Sequence, residues 1–331
     1  MTPTTFLNAS DTRPVLVTGG AGFIGSHLVE RLLTEGMRVV VVDDFSTGSW
    51  SNLAGVVGRS ELEIREGKVS DQPDLSGLVS GCQGVIHLAA AVGVDLVVKS
   101  PIRTIETNLK ETESILAAAN ARSTPVLLTS TSEVYGKSSK AEFSEGDDLL
   151  IGPPHLGRWS YACSKLMDEF LAMAHRAERG LPVVITRLFN TVGPRQTGAF
   201  GMVLPRFISA ALRNEPIRVY GDGSQSRCFC HVRDTVEALV RLSRAERARG
   251  EVFNIGGRLE VSMVDLARRV IAVLGSSSEV VFVPYAQAYA PGFEDMQRRK
   301  PNTDKLFAVT GFRPETGLDE IIRSTAVNLR G

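Results

Sequence analysis

Pro14-Val15-Leu16-Val17-Thr18-Gly19-Gly20-Ala21-Gly22-Phe23-Ile24-Gly25 decides how the chain is read. It opens on a short β-branched run, passes through a glycine-rich turn and enters a stretch with apolar residues at helical spacing, Ile24, Leu28, Leu32 and Leu33. Strand, turn and helix in that order give the glycines a meaning that a lone glycine pattern lacks. Without side chains, Gly19, Gly22 and Gly25 permit a tight turn, close approach of backbone to a pyrophosphate and close packing of helix on strand. The first helical amides, from Phe23 and Ile24 onward, then face the phosphates.

Outward from this turn, Gly36 stops the helix and a second apolar run, Met37 to Val42, ends in Asp43 and Asp44. Asp43 lies 18 residues after Gly25, where a carboxylate can accept both ribose hydroxyls of an adenosine. The two acids would repel a 2′-phosphate, and no Arg or Lys lies between 39 and 58 to hold one. NAD is therefore expected rather than NADP. Leu62 to Val69, Val85 to Ala91, Pro125 to Ser130 and Val183 to Leu188 read as further strands. Helical patterns separate them, notably Ile102 to Ala121 and Trp159 to Arg179. Strands alternating with helices predict an α/β fold, a doubly wound parallel (Rossmann) sheet. After Leu188 the pattern turns irregular, with Gly193-Pro194-Arg195, Gly198 and Gly201 ahead of a helix from Leu204 to Arg213 and a strand at Ile217 to Tyr220. Asp234 to Ala248 reads as a helix and Val252 to Ile255 as a strand able to rejoin the main sheet. Helices at Met263 to Leu274 and Leu318 to Leu329 are assigned to a smaller mixed C-terminal lobe. The expected division is a dinucleotide-binding domain of residues 1–190 plus about 231–256, and a substrate lobe of 191–230 plus 257–331.

Composition bounds the partners. The 331 residues carry 37 Lys and Arg against 37 Asp and Glu, so no whole-chain field favours nucleic acid or an anionic membrane. The four cysteines, Cys82, Cys163, Cys228 and Cys230, lack ligand spacing, which argues for a reduced chain without a structural metal. Cys163 and Cys228 read as small buried hydrophobes, and His87 as a packed residue at a strand end. The polar first 13 residues and the lack of a long apolar run predict a soluble, cytoplasmic protein.

Tyr161-Ala162-Cys163-Ser164-Lys165 adds chemistry. In a helix, residues four apart share a face, placing the Lys165 ammonium beside the Tyr161 phenol. A neighbouring cation favours phenolate and lowers a pKa whose reference lies near ~10, making Tyr161 a usable base. The same ammonium could hydrogen-bond the ribose of a nicotinamide nucleotide.

Together the motifs resemble the extended short-chain dehydrogenase/reductases that act on nucleotide sugars. The resemblance spans nearly the whole chain. It rests on Thr18 to Gly25, His87-Leu88-Ala89-Ala90, Thr131-Ser132-Glu133-Val134-Tyr135-Gly136, Tyr161-x-x-x-Lys165, Arg187-Leu188-Phe189-Asn190-x-x-Gly193-Pro194-Arg195 and Gly221-Asp222-Gly223-Ser224-Gln225-Ser226-Arg227. It implies an NAD held by the first domain, with Leu88, Ala89, Ala90 and Val69 among its contacts, and a nucleoside diphosphate sugar held by the second. The sugar would be oxidised transiently at C4, with Tyr161 taking the hydroxyl proton, Lys165 tuning it and Thr131 bonding O4. Lys68 stands where relatives usually carry Asp.

Thr131-Ser132-Glu133, Arg158-Trp159-Ser160-Tyr161 and Asp295 to Pro301 are similar to segments of the UDP-glucuronate decarboxylases, in which the arginine before Lys-Pro, here Arg299, meets the sugar carboxylate. The expected reaction is decarboxylation of UDP-glucuronate to a UDP-4-keto-pentose or UDP-xylose. Arg299 would position the carboxylate, and Glu133 with Ser132 would orient it or protonate C5. Oxidation at C4 makes a β-keto acid, which loses carbon dioxide once the developing enolate is stabilised. Ser132, having no carboxyl proton, argues against a 4,6-dehydratase. Val92-Gly93-Val94 departs from the decarboxylase pattern, so a UDP-sugar 4-epimerase or a dehydratase stands as the alternative. Arg227 and Asn190 are expected on the pyrophosphate, Arg158 on substrate, and Tyr220 either near the base or in the core. The resemblance further implies a homodimer packed through the helices at Ile102 to Ala121 and Ser160 to Arg176.

Overall fold

The computed structural model describes residues 6–92, 100–197, 202–284, 287 and 296–329. Gly93, Val94, Gly198, Gly201 and Asp295, all used above, lie outside the described residues. The first half runs β1 (Val15–Thr18), α1 (Phe23–Thr34), β2 (Val39–Asp43), α2 (Trp50–Leu53), β3 (Leu62–Glu66), α3 (Leu75–Ser80), β4 (Gly84–His87), α4 (Pro101–Asn120), β5 (Val126–Thr131), α5 (Trp159–Arg179) and β6 (Val183–Leu188). It continues with β7 (Thr191–Val192), α6 (Val203–Leu212), β8 (Ile217–Tyr220), β9 (Ser226–Cys228), β10 (Cys230–His231), α7 (Val232–Arg244) and β11 (Val252–Ile255). The last stretch adds β12 (Glu260–Ser262), α8 (Met263–Leu274), β13 (Val280–Val283), β14 (Arg298–Arg299), α9 (Asp304–Thr310) and α10 (Leu318–Leu329).

Seven strands form one parallel sheet in the order β11-β6-β5-β4-β1-β2-β3, as the doubly wound reading requires. Strand side chains alternate between faces, and the two faces have separate cores. Val15 and Val17 point toward α1 and α7, among Leu28, Leu32 and Leu239, while Leu16 points to the opposite face with Ile115 and Leu116 of α4 and Ala172 of α5. Each such buried side chain is worth roughly 1.5–3 kcal/mol against exposure. The strand order reverses between β1 and β4, which opens a crevice at their carboxyl ends. A third core joins Leu204, Phe207 and Ile208 of α6 to Leu266 of α8 and Ile321 of α10 beneath β8.

The sequence placed most elements correctly and missed their ends for identifiable reasons. The run Leu62 to Val69 stops being a strand at Glu66, because Gly67 turns with φ of 125°, and the buried Val69 instead opens a 3₁₀ turn. Val85 to Ala91 ends its strand at His87, after which the chain crosses beside the glycine turn and Leu88 N–H donates to Thr18 O. The helix expected from Asp234 starts at Val232, where the His231 imidazole accepts the Arg233 N–H, and it ends at Arg244. Three short helices, α2, α3 and α9, were not foreseen. Cys228 is buried as expected, but Cys163 is exposed, because it falls on the outer side of α5. Among the described residues no helix is long and apolar enough to cross a membrane.

Candidate active site

The glycine turn is built as a cradle. Gly19 sits at φ of 70°, and a Cβ there would lie 2.8 Å from Ala89 N. A Cβ on Gly25 would meet Gly19 O at 2.1 Å, so the start of α1 can close on the strand only without a side chain. Asp43, at the carboxyl end of β2, accepts from Ala21 N–H at 2.8 Å and from Phe45 N–H at 2.9 Å. Burial lifts its carboxyl above the ordinary range against the pull of those two amides. Asn52 donates to Ala21 O at 2.8 Å and braces the same turn. The turn without side chains and the acid beside it fit NAD, whose adenosine ribose Asp43 and Asp44 would hold.

From this turn a cavity of about 890 Å³ runs across the carboxyl edge of the sheet into the second half of the molecule. It gathers the dinucleotide residues Gly19, Gly22, Phe23, Ile24, Gly25, Asp43, Asp44, Val69, Leu88, Ala89 and Ala90. It also gathers Thr131, Ser132, Glu133, Arg158, Tyr161, Lys165, Asn190, Arg227 and Arg299, from β5, α5, β9, β14 and the turns between elements.

At the centre, Tyr161 stands in the first turn of α5, almost wholly buried, and Thr131 ends β5 beside it. The structure corrects one expectation here. The Lys165 ammonium does not lie on the phenol but donates to Asp168 Oδ2 at 2.7 Å, one turn further along α5. The Tyr161 phenol is accordingly pushed above its ordinary value rather than below it. Burial is the main cause; the charges of Glu133 and Asp168 add to it, and Thr131 opposes it. Asn108 on α4 holds the helix in place, donating to Ser164 Oγ at 3.0 Å and accepting from Ala91 N–H at 2.8 Å. Behind it, buried Glu169 pairs with Arg187 of β6 at 2.7 Å and accepts from Ser130 of β5, tying α5 to two strands.

The far end of the cavity is cationic. Glu133 accepts from Arg158 at 3.1 Å and lies 3.5 Å from Arg299. Arg299 and Arg227 are register partners in the parallel pair β14–β9, and both line the cavity. Arg227 Nη1 donates to Ser226 O at 2.7 Å and to Gln297 O at 3.4 Å, pinning the segment that carries Arg299. The three basic residues in a row separate in space. Arg298 pairs with Glu260, Lys300 pairs with Glu142, and Arg299 faces inward. Asn190, at φ of 32°, spends one side-chain N–H on Cys228 O at 2.9 Å. Tyr220 faces the cavity under the Arg206 guanidinium, 4.5 Å from its ring centroid. Ser46, Thr47, Arg206 and Gln225 also line the cavity and were not singled out; the polar run after Asp43 was the available signal for the first two. His87 is fully buried between Thr18, at 2.7 Å, and Thr112, at 3.3 Å.

A doubly wound sheet with a glycine cradle at its switch point and a Tyr-x-x-x-Lys helix facing it defines an NAD-dependent enzyme. The chain belongs to the NAD dependent epimerase/dehydratase family, whose model matches residues 15–256. It is 41% identical to a UDP-N-acetyl-alpha-D-glucosaminuronate decarboxylase of Bacillus cytotoxicus over 94% of this chain and 95% of that protein. A UDP-glucuronic acid decarboxylase 1 of Xenopus tropicalis is 35% identical over 98% of this chain and 73% of the other. Among solved structures, a UDP-glucuronic acid 4-epimerase from Bacillus cereus, in complex with UDP-glucuronic acid and NAD, superposes with a TM-score of 0.85. It is 28% identical, covering 96% of this chain and 99% of that one.

Proposed function

We propose that the chain decarboxylates a UDP-hexuronate, with UDP-glucuronate the first substrate to try. The observation that carries the reading is Arg299 facing the cavity beside Glu133 and Arg158, a cationic end built to hold a sugar carboxylate within reach of the Tyr161 base. A planar guanidinium grips a carboxylate in a fork and fixes its orientation.

NAD, when bound over Gly19, Gly22 and Gly25, supplies the acceptor for the hydride from C4. Tyr161 removes the O4 proton, and Thr131 bonds the same oxygen. The C4 ketone stands β to the carboxylate, so the C5–C6 bond can break, its electron pair passing toward O4 as carbon dioxide leaves. Tyr161 and Thr131 then donate to the enolate oxygen, and Glu133, with Ser132 beside it, orients the carboxylate through the arginines or relays a proton from solvent to C5. Asn190 and Arg227 hold the nucleotide diphosphate. Residues 1–190 with about 231–256 carry the cofactor, and 191–230 with 257–331 the sugar nucleotide. The enzyme works in the cytoplasm as a homodimer joined through α4 and α5, whose outer faces expose Ile102, Met167 and Phe170.

The name of the Bacillus cytotoxicus relative favours a second substrate of the same class, the 2-acetamido hexuronate. Mass spectrometry after incubation with each UDP-hexuronate decides. Loss of carbon dioxide from either supports decarboxylation, and the better of the two names the sugar. Unchanged mass with inverted C4 would establish a 4-epimerase instead. Tyr161→Phe should keep its bound NAD while turnover falls by about 10²–10⁴-fold.

A further inference from the structure

Asp168 is a buried charged group beside the reaction centre that the reaction above leaves without a task. It is wholly buried on α5, and one oxygen, Oδ2, receives the Lys165 ammonium at 2.7 Å. The other, Oδ1, is buried and has no hydrogen-bond partner. Thr112 of α4 lies close enough to favour the carboxylate, and Thr112 in turn meets His87, which meets Thr18 of β1. A buried carboxylate with one oxygen unsatisfied costs stability that an apolar residue would not, so its presence calls for a reason. Resting on the reading that Tyr161 is the base, we propose that Asp168 is a positioning residue for the oxidation step: it anchors the Lys165 ammonium one turn from Tyr161, with Thr112 and His87 bracing its other side.

The consequence is electrostatic. Proton loss from Tyr161 creates an anion in a dry site, and the fixed negative charge of Asp168 opposes it while holding the cation that would relieve it. The other groups facing this cluster are accounted for. Glu133, from the turn after β5, is held by Arg158 and lies beside Arg299. Glu169, on α5 itself, is matched by Arg187 of β6. His87 of β4 stays neutral, its pKa pushed down to about 3 by burial with Lys165 adding to the shift. From α4, Asn108 faces Ser164 and Glu111 is occupied by Ser70. After Glu133, Asp168 is thus a charge whose removal should move the base.

The test is the pH dependence of kcat/KM for reduction of bound NAD by whichever UDP-hexuronate the parent enzyme oxidises. In Asp168→Asn, phenolate forms more readily, and the acid limb should shift to lower pH by about one unit. Thr112→Val removes the hydroxyl that favours the Asp168 carboxylate, so Asp168 is protonated more readily and the acid limb should shift in the same direction by less. It also serves if the first variant fails to fold. In ligand-free protein, the tyrosinate absorbance lost on adding Tyr161→Phe should titrate at lower pH in the Asp168→Asn background than in the parent. An acid limb unmoved in both variants overturns the role of Asp168. A Tyr161→Phe enzyme that still turns over defeats the base assignment instead, so the two failures are told apart.

Discussion

Arg299 shows how much one residue owes to its surroundings. Its sequence neighbours are spent on the surface, Arg298 on Glu260 and Lys300 on Glu142, whereas its own side chain turns into the cavity beside Glu133. If it holds the sugar carboxylate, truncation leaves a charge without its partner in a desolvated site. Arg299→Ala should then lower kcat/KM by about 10²-fold or more, equivalent to ~3 kcal/mol. Arg299→Lys should recover only part of this, since an ammonium restores the charge but not the fork. Steady-state kinetics on the UDP-hexuronate would show it, and near-normal values for the alanine variant would remove Arg299 from the carboxylate. At this scale the sequence was legible where a motif fixes both residue and spacing, as with Tyr161 and Asp43, which both line the cavity; it did not foresee Lys165 turning to Asp168. It was silent on Asp168, because a carboxylate three residues after a lysine on a helix reads as a solvated pair. Only the packing of α4 and β4 against that face makes it buried. The same blindness put Cys163 inside; its position on the helix was known, but not which side the sheet would take.

His87 belongs to the scale of elements, since it joins the end of β4 to β1 through Thr18 and to α4 through Thr112. Burial holds its pKa down to about 3, whereas in the unfolded chain it titrates near the reference of roughly 6.5. Between those values the unfolded state binds a proton that the folded state refuses. The contribution to stability is therefore full above about pH 6.5 and is lost as pH falls toward 3, by at most about 5 kcal/mol. The urea midpoint should fall across this window in the parent protein. His87→Gln, which cannot titrate, should lose less over the same range whatever its starting stability. Parallel pH profiles for the two proteins would show that His87 does not carry the acid sensitivity. Elements with strong periodicity, such as α5 and β6, were legible residue by residue, because an apolar stripe and a β-branched run each have one packing solution. The pairing β12-β9-β14 was not, because it assembles residues 226–228, 260–262 and 298–299, which no local pattern connects. That pairing sets Arg299 beside Arg227, so the cationic end of the site could be named from the sequence but not built from it.

At the scale of the whole molecule, the alternation of strands and helices foretold the doubly wound sheet, and Val252–Ile255 does return to its edge beside β6. Quaternary structure is the remaining level. On α5, Cys163, Met167 and Phe170 follow at helical spacing on the side away from the sheet, with Phe170 64% exposed. On α4, which packs alongside, Ile102 is 71% exposed. A helix normally hides such a stripe, and monomers rarely leave contiguous apolar patches of this kind open. Two α4–α5 pairs meeting about a twofold axis would cover both stripes at once, and a stable dimer needs roughly 800 Å² from each partner. Met167→Glu with Phe170→Glu places two like charges at the axis from each copy, where desolvation and repulsion act together. Sedimentation velocity should show the parent as a dimer and the double variant as a monomer. The fold should survive, because neither side chain enters the core. A variant that still sediments as a dimer would move the contact elsewhere, and a monomeric parent would leave the exposed stripe needing another occupant.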